Sequence, residues 1–495
     1  MIFDVDVIVV GAGPAGLLLA GDLAGAGVSC ALLERRTERS GLTRAFTVHA
    51  RTLEELDARG VAEELVALGT PVSELRLFAT AALDLSRLPS RFPYLLVTPQ
   101  YKTERVLEER ARRMGADIRY GSEVTGLTRH PDGVEVKVRR DGHPDRVVRA
   151  GWLVGTDGMR STVRQALGMP FPGRPVVRSV MLAEVRLTEQ PPSALTIDST
   201  GDTFALIAPF GDGFYRVIAW ARCDEPSEDA PVSLDEVSEV TRQALGTDYG
   251  MHDPRWMSRF HSDERQVPRY RDGLVLLAGD AAHVHSPAGG QGMNTSIQDS
   301  VNLGWKLAAT VQGWAPPGLL DTYQAERHAV GQQVLRNSGA LLRIALKPSP
   351  ALVGARNTLA LAVTRIPFLA KRLAGAISGV GISYPTPPGA HPLAGKRVAD
   401  LRLADGRRLY EALRGGRFLL TGGPGTFPAD AAAGYRDRVE AAPIARASTT
   451  VTLIRPDAYI AWAATASTLT TPQIRDCLAH WCGSPAHPAA QTAGQ

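Results

Sequence analysis

Apolar and polar positions give this chain two textures. In the first part, continuous apolar runs alternate with helical stretches. Val5 to Val10 is an unbroken β-branched run, suited to a strand buried on both faces of a parallel sheet. Val28 to Leu33 is a second such run, and the residues between them read as a helix. Leu53 to Leu68 places Leu53, Leu56, Val61 and Leu65 at helical spacing, and Thr103 to Met114 predicts a helix charged on one side. Asp117 to Tyr120, Val134 to Arg139 and Arg146 to Val154 read as strands, joined in part by Asp132-Gly133 and Asp141-Gly142 turns. From about Pro175, alternation takes over. The runs 179–187, 204–209 and 214–220 predict an antiparallel sheet, with Gly211-Asp212-Gly213 as a hairpin turn. Leu274 to Ala278 is again a buried strand, followed by a glycine-rich loop and a long helix. Residues 320–382 are mostly helical, interrupted at Pro348, Pro350 and Pro367. Beyond the proline-rich stretch 385–392, residues 417–420 and 451–455 are strand candidates and 472–481 a closing helix.

The first strand runs into Gly11, Gly13 and Gly16, a G-x-G-x-x-G turn opening a helix through Pro14 and Ala15. The first glycine permits the tight turn, the second lets backbone N–H groups approach a pyrophosphate, and the third lets helix pack on strand. The helix start adds a positive dipole end. Glu34 and Arg35 close the second strand, where an acid can hold ribose hydroxyls. Strand, turn, helix, strand and acid in register predict a dinucleotide site. The alternative is a βαβ turn with no ligand.

A chain of 495 residues supports about three domains. The net charge of +4 is spread as arginines among acids, with no basic block interleaved with aromatics, so nucleic acid is not an expected partner. The four cysteines, Cys30, Cys223, Cys477 and Cys482, form no C-x-x-C and are read as free thiols of a reducing cytoplasm. No apolar run of about twenty residues predicts a membrane span. His283 and His285 lack companion ligands at metal spacing, so no metal is expected.

Three further segments resemble the motifs of the group A flavoprotein monooxygenases, the single-component aromatic hydroxylases: GTDGMRSTVRQALG (155–168), RYRDG (269–273) and LLAGDAAHVHSPAGGQGMNTSIQDSVNLGWKLA (276–308). Within that family the chain is similar to bacterial aromatic-polyketide hydroxylases and rifampicin- and tetracycline-modifying enzymes. LIRPDAYIAW (453–462) resembles their C-terminal signature, with Ala458 where glycine is usual. The resemblance implies an α/β multidomain fold. A Rossmann-like FAD-binding domain would take residues 1–175 and 270–385, an inserted antiparallel β-sheet substrate domain 176–269, and a thioredoxin-like domain 393–495. It implies FAD, a transient NAD(P)H donor (NADPH favoured) with no fold of its own, and dioxygen, which adds to reduced flavin as a C4a-hydroperoxide that hydroxylates a polycyclic aromatic.

By the same resemblance Arg44 and Gln100 lie beside the FAD, with Arg105 one helical turn further, and Asp157 and Gly158 bridge pyrophosphate and nicotinamide. Asp280 receives the ribityl hydroxyls. Pro287, Gly289, Gly290 and Gly292 lie against the ring, and Met293 and Asn294 open a helix toward its N1–C2=O edge. The plainer readings are a helix cap for Asp280, a structural turn for Asp157 and a solvated charge for Arg105. Phe214, Arg216, Ile218 and Trp220 share one strand face, with Phe204, Leu206 and Phe210 near in sequence. They form either a wall with one cation for a phenol-rich polycycle or ordinary sheet core. No protein general base is expected, and the chain is read as a monomer or homodimer. Baeyer–Villiger insertion, epoxidation or drug inactivation are alternative chemistries or roles. A flavin-bearing protein that sequesters its ligand is the non-enzymatic alternative.

Overall fold

The run Val5–Val10 is central because it is apolar on both faces. It pairs in parallel with His143–Gly155 on one side and Cys30–Leu33 on the other. Val275–Leu277 and Asp117–Arg119 extend the parallel set outward. The chain therefore starts mid-sheet, builds one side, then crosses to the other, and this reversal creates a crevice at the strands' carboxyl ends. Val10 pairs with Gly155 and Leu33, and Gly155 with Leu277, so four strands end at one level. The computed structural model describes residues 2–39, 41, 45–77, 81–222, 226–227, 230–286, 289–345, 350–428 and 430–485. Arg44, Cys223, Pro287 and Pro348 lie outside these.

The second texture forms a six-stranded sheet in the order 196–199, 203–209, 215–221, 173–187, 251–266, 283–284. Of its long strands, Gly173–Leu187 begins before the predicted run 179–187 and ends with it, and Met251–Gln266 matches no predicted run. The last strand, His283–Val284, comes from the glycine-rich loop region, so this sheet reaches beyond residues 176–269. The predicted helix over 53–68 is two short ones, Ala50–Asp57 and Ala62–Val66, separated where Gly60 takes φ +73°. The predicted helix at 103–114 starts earlier, as Gln100–Arg113, after Pro99.

The glycine-rich loop leads into the buried helix Gly292–Val311. After it, Gln324–His328 forms one π-helical turn before the helix Ala329–Ala345, and Pro350 and Pro367 each begin a further helix. The C-terminal part is a four-stranded sheet in the order 439–441, 418–421, 450–454, 460–465, with the first pair parallel and the rest antiparallel, closed by the helix Thr471–Cys482. Among the described residues, no helix is long and apolar enough to cross a membrane.

Candidate cofactor and substrate site

Three loops, far apart in sequence, meet at the level where the parallel strands end. Gly11, at φ +102°, has no room for a side chain: a Cβ would lie 2.7 Å from the Thr156 carbonyl oxygen and 2.9 Å from Asp157 Cα. A Cβ on Gly16 would lie 2.0 Å from the Gly11 oxygen, so helix and turn are in contact there. Above Gly13, by contrast, nothing approaches within 4 Å, which leaves its backbone open. Pro14 starts the helix and Ala15 follows it. Ala15 reaches the third loop, since a Cβ on Gly279 would meet both Ala15 and Ser296. Gly11 and Gly16 thus have steric reasons to lack a side chain, while the space above Gly13 is open.

Glu34 lies at the rim of this crevice. Its carboxylate accepts from the Ala12 amide at 2.7 Å and the Arg36 amide at 2.9 Å. Burial raises its pKa, but these bonds and the Arg36 side chain outweigh burial and hold the carboxyl below its usual range. Its cationic neighbour is therefore Arg36, which the sequence reading passed over; Arg35 is exposed. Asp157 turns its carboxylate inward, accepting from Ser161 Oγ at 2.5 Å and the Val163 amide at 3.1 Å. It organises its own turn, and Gly158 beside it is left-handed at φ +81°. Gln100 accepts from the Ala45 amide at 3.1 Å and donates to Glu104 at 2.8 Å, tying helix 100–113 to the segment that follows Arg44. Arg105 is exposed and pairs with Glu109 at 4.0 Å.

On the third loop, Asp280 is exposed between buried Gly279 and Ala281. Gly290, at φ +62°, lies against Thr47: a Cβ would fall 2.2 Å from its Oγ1. The Asn294 side chain fastens the two, donating to the carbonyls of Thr47 and Gly290, both at 2.9 Å, and accepting from the His49 amide at 2.8 Å. That staple was not legible from spacing, because its partners lie some 245 residues away. Met293 is buried beside it.

The residues present fit an FAD. His49, His285 and Gln291 surround Gly290 and Gly292, and each carries a buried atom without a partner: Nε2, Nε2 and Oε1. Burial pushes both histidines down to about 4, so they are neutral near pH 7. His285 Nδ1 faces the Ser286 carbonyl at 2.9 Å and must carry the proton, leaving Nε2 a bare acceptor. A polar ligand edge is what such atoms lack. A cavity of about 510 Å3, lined by His49, Gln291, Asn294, Val334, Phe368 and Arg372 among others, opens beside them. None of the seven aromatic, aliphatic and arginine candidates from the antiparallel sheet lines it.

Those seven gather elsewhere. Phe210 and Ile218 are buried in an apolar cluster with Phe46, Leu83, Leu182 and Ile377, and Phe204 and Trp220 pack against it. The Phe46 and Phe210 rings are 6.3 Å apart. Since Phe46 adjoins Thr47, this wall stands next to Gly290. Arg216 is fully buried between the rings of Phe210 and Trp256, at 5.0 and 4.8 Å, and pairs with Glu184 at 2.5 Å. Its Nε and Nη1 have no partner. Burial lowers its pKa to about 10, still cationic at neutral pH. Phe214 is only half-buried and meets Arg186 and Arg255. His283 contacts Asp299 at 2.6 Å.

The comparisons agree with this geometry. Residues 4–338 match the family model for the FAD binding domain, and residues 391–485 that for the aromatic-ring hydroxylase C-terminal region. The chain is 41% identical to the 12-dehydrotetracycline 5-monooxygenase/anhydrotetracycline 6-monooxygenase of Streptomyces rimosus, over 97% of this chain and 99% of that one. It is 41% identical to rifampicin monooxygenase of Streptomyces venezuelae, over 92% and 95%. The solved anhydrotetracycline hydroxylase from Streptomyces rimosus superposes with a TM-score of 0.86 at 40% identity, covering 97% of this chain and 100% of that one. Loops, wall and relatives together place this chain in the family of FAD-dependent aromatic-ring hydroxylases, and it is a flavoprotein monooxygenase.

Proposed function

We propose that this monooxygenase uses NAD(P)H, with NADPH favoured, and dioxygen to add one oxygen atom to a polycyclic, phenol-bearing polyketide, in the cytoplasm, as a monomer or homodimer. The observation that carries this reading is the meeting of the 11–16, 156–158, 279–286 and 289–294 segments beside an apolar wall holding one buried arginine. Relatives at 41% identity, named for anhydrotetracycline and rifampicin, support the substrate class. The buried free thiols of Cys30, Cys477 and Cys482 fit a reducing compartment.

In this reading Gly11, Gly13, Pro14, Ala15 and Gly16 carry the pyrophosphate on a helix start. Glu34 holds ribose hydroxyls, with Arg35, Arg44 and Arg105 as surrounding cations and Gln100 bracing the Arg44 segment. Asp157 and Gly158 shape the loop under the phosphates, and Asp280 receives the ribityl hydroxyls. Pro287, Gly290, Gly292, Met293 and Asn294 seat the ring. When bound, the FAD accepts hydride and activates oxygen. The start of helix 292–311 presents N–H groups to negative charge at the ring edge. The apolar wall of Phe204, Phe210, Ile218 and Trp220, with Phe214 at its margin, excludes water. Arg216 offers Nε and Nη1 to a phenolic oxygen and favours its ionised, electron-rich form.

The domains follow as a Rossmann-like unit (1–175 with 270–385), a substrate sheet (176–269) and a thioredoxin-like unit (393–495). The strand order of the last, a parallel pair followed by an antiparallel pair, supports that name, and its cysteines are buried on the closing helix rather than paired in a turn. The 41% identity to a rifampicin monooxygenase supports a second role, inactivation of a drug by the same chemistry. Purified protein incubated with NADPH and either anhydrotetracycline or rifampicin tests both. Substrate-stimulated NADPH oxidation with a mass gain of one oxygen is expected with one of them. Yellow protein that oxidises NADPH with neither, or yields product of unchanged mass, overturns the substrate reading.

A further inference from the structure

Asp299 lies seven residues into helix 292–311 and is fully buried. It accepts three hydrogen bonds: from the Gly279 amide at 3.1 Å, from His283 Nε2 at 2.6 Å and from Arg327 Nε at 2.7 Å. Gly279 and His283 flank Asp280. One carboxylate thus fixes both ends of the turn that presents Asp280 to the crevice. The His283 ring is held further by stacking near Tyr270 and His285, at centroid distances of 5.8 and 6.5 Å.

Arg327 does more than neutralise Asp299. Its Nη2 donates to the Thr295 carbonyl at 3.2 Å, on the helix turn that follows Gly292, and its Nη1 to Tyr384 Oη at 3.3 Å. Tyr384 stacks on Tyr459 of the C-terminal domain, ring centroids 4.1 Å apart, and lies under Arg455 at 5.2 Å. Arg455 binds Glu326 through Nη1 at 2.6 Å and Nη2 at 2.9 Å, and also binds Asp457. Glu326 in turn holds Lys306 at 2.8 Å and Asn302 at 2.6 Å, on the same helix as Asp299. Glu326 and Arg327 are adjacent in sequence but serve different partners, and both sit in the π-helical turn. Such turns are rare in regular helices and concentrate at functional sites.

We propose that the C-terminal domain positions the flavin loop: the turn 455–459 clamps Tyr384 and Glu326, these hold Arg327 and helix 292–311, and Asp299 fixes Gly279 and His283 around Asp280. Asp299, Arg327 and Tyr384 are positioning residues; none is assigned contact with the cofactor. The inference rests on the FAD reading of the crevice and adds a task for residues 391–485, which lie outside the FAD binding domain match.

The test is FAD affinity and the visible flavin spectrum of the full chain in Asp299→Asn, His283→Gln and Tyr384→Phe. Ile474→Val, a core change in the closing helix outside the relay, serves as control. FAD dissociation constants should rise at least tenfold for Asp299→Asn and about threefold for His283→Gln and Tyr384→Phe, each with an altered flavin band. The control should lose thermal stability with affinity and spectrum unchanged. If Asp299→Asn does not fold, the other two variants decide. Wild-type affinity and spectrum in them overturn the inference. So does a loss of affinity in all variants, control included, that merely follows the melting temperature. Wild-type protein that refuses FAD would instead overturn the cofactor reading itself.

Discussion

Toward the inserted sheet, the cofactor domain presents Phe46, Ala50, Val72 and Leu95, which join Leu182, Phe210 and Ile218 in one apolar cluster. Toward the C-terminal domain it presents Asn302, Lys306 and Glu326, all buried: Glu326 binds Arg455 and Lys306, Asn302 contacts Asp457, and the Asp299–Arg327 pair lies on the same helix and turn. Both seams are largely buried, but they obey different rules. Apolar contacts depend on volume and tolerate rearrangement, so that wall can adapt to a ring system. Buried charges tolerate little, because each must keep its partners in hydrogen-bond geometry or suffer a large desolvation penalty. The charged seam holds helix 292–311, and the apolar one includes Phe46, next to Thr47.

Breaking the ionic seam should have the largest effect. Glu326→Gln leaves Lys306 without its carboxylate and should lower unfolding free energy by about 3–5 kcal/mol, measured by urea denaturation at pH 7. The same change should flatten the acid limb. Burial pushes Glu326 up, but Arg455 and Lys306 outweigh burial and hold its pKa well below 4.5. Its contribution is thus complete above pH 4.5 and is lost as pH falls below that, so wild type should lose more stability than the variant between pH 5 and pH 2. Equal slopes would contradict the assignment.

Asp280→Ala comes next. Charge-assisted hydrogen bonds of about 1.5–3 kcal/mol each imply an FAD dissociation constant raised roughly tenfold to a hundredfold, read by flavin fluorescence. Because Asp280 is exposed, the stability of the FAD-free protein should stay within about 0.5 kcal/mol. On the adaptable side, Arg216→Ala should weaken binding of whichever polycycle stimulates NADPH oxidation about tenfold in titrations while FAD remains bound. A change confined to FAD affinity would place Arg216 on the wrong side of the comparison. The smallest effect is expected at Ala458, which holds the left-handed φ of +57° in the turn of the ionic seam. Ala458→Gly should relieve strain and raise stability by about 0.5–1 kcal/mol, offset in part by glycine's entropy.

The glycine turn after the first strand was legible in the sequence because part of its demand is local: Gly11 takes a left-handed φ of +102°, and Gly16 lies against the Gly11 oxygen. Gly11 and Gly16 have no space for a Cβ, and the space above Gly13 is open. The sheet wall was legible because alternation assigns faces: Phe204, Ile218 and Trp220 share one cluster, while Ile207, Val217 and Ala219 occupy the other. The ionic seam was not legible. Asp299, Glu326, Arg327 and Arg455 each resemble solvated charges until folding brings them together, and periodicity carries no sign of it. The strand Met251–Gln266 was hidden for a related reason: MHDPRWMSRFHSDERQ is mostly polar, and its length comes from pairing with Gly173–Leu187. Arg36 was overlooked because sequence cannot show which of two adjacent arginines turns inward.

One join bears on engineering. The last rungs of the inserted sheet, Arg265 with Val284 and Gln266 with His283, are main-chain pairings with the segment just after Asp280. A chimaera that borrows this sheet from a relative to gain new substrates therefore transplants a strand zipped to the host's own cofactor turn. Splice points chosen on sequence alone would sever that zipper. Grafts that keep residues 265–266 and 283–284 from a single parent should retain their colour more often than grafts that mix them.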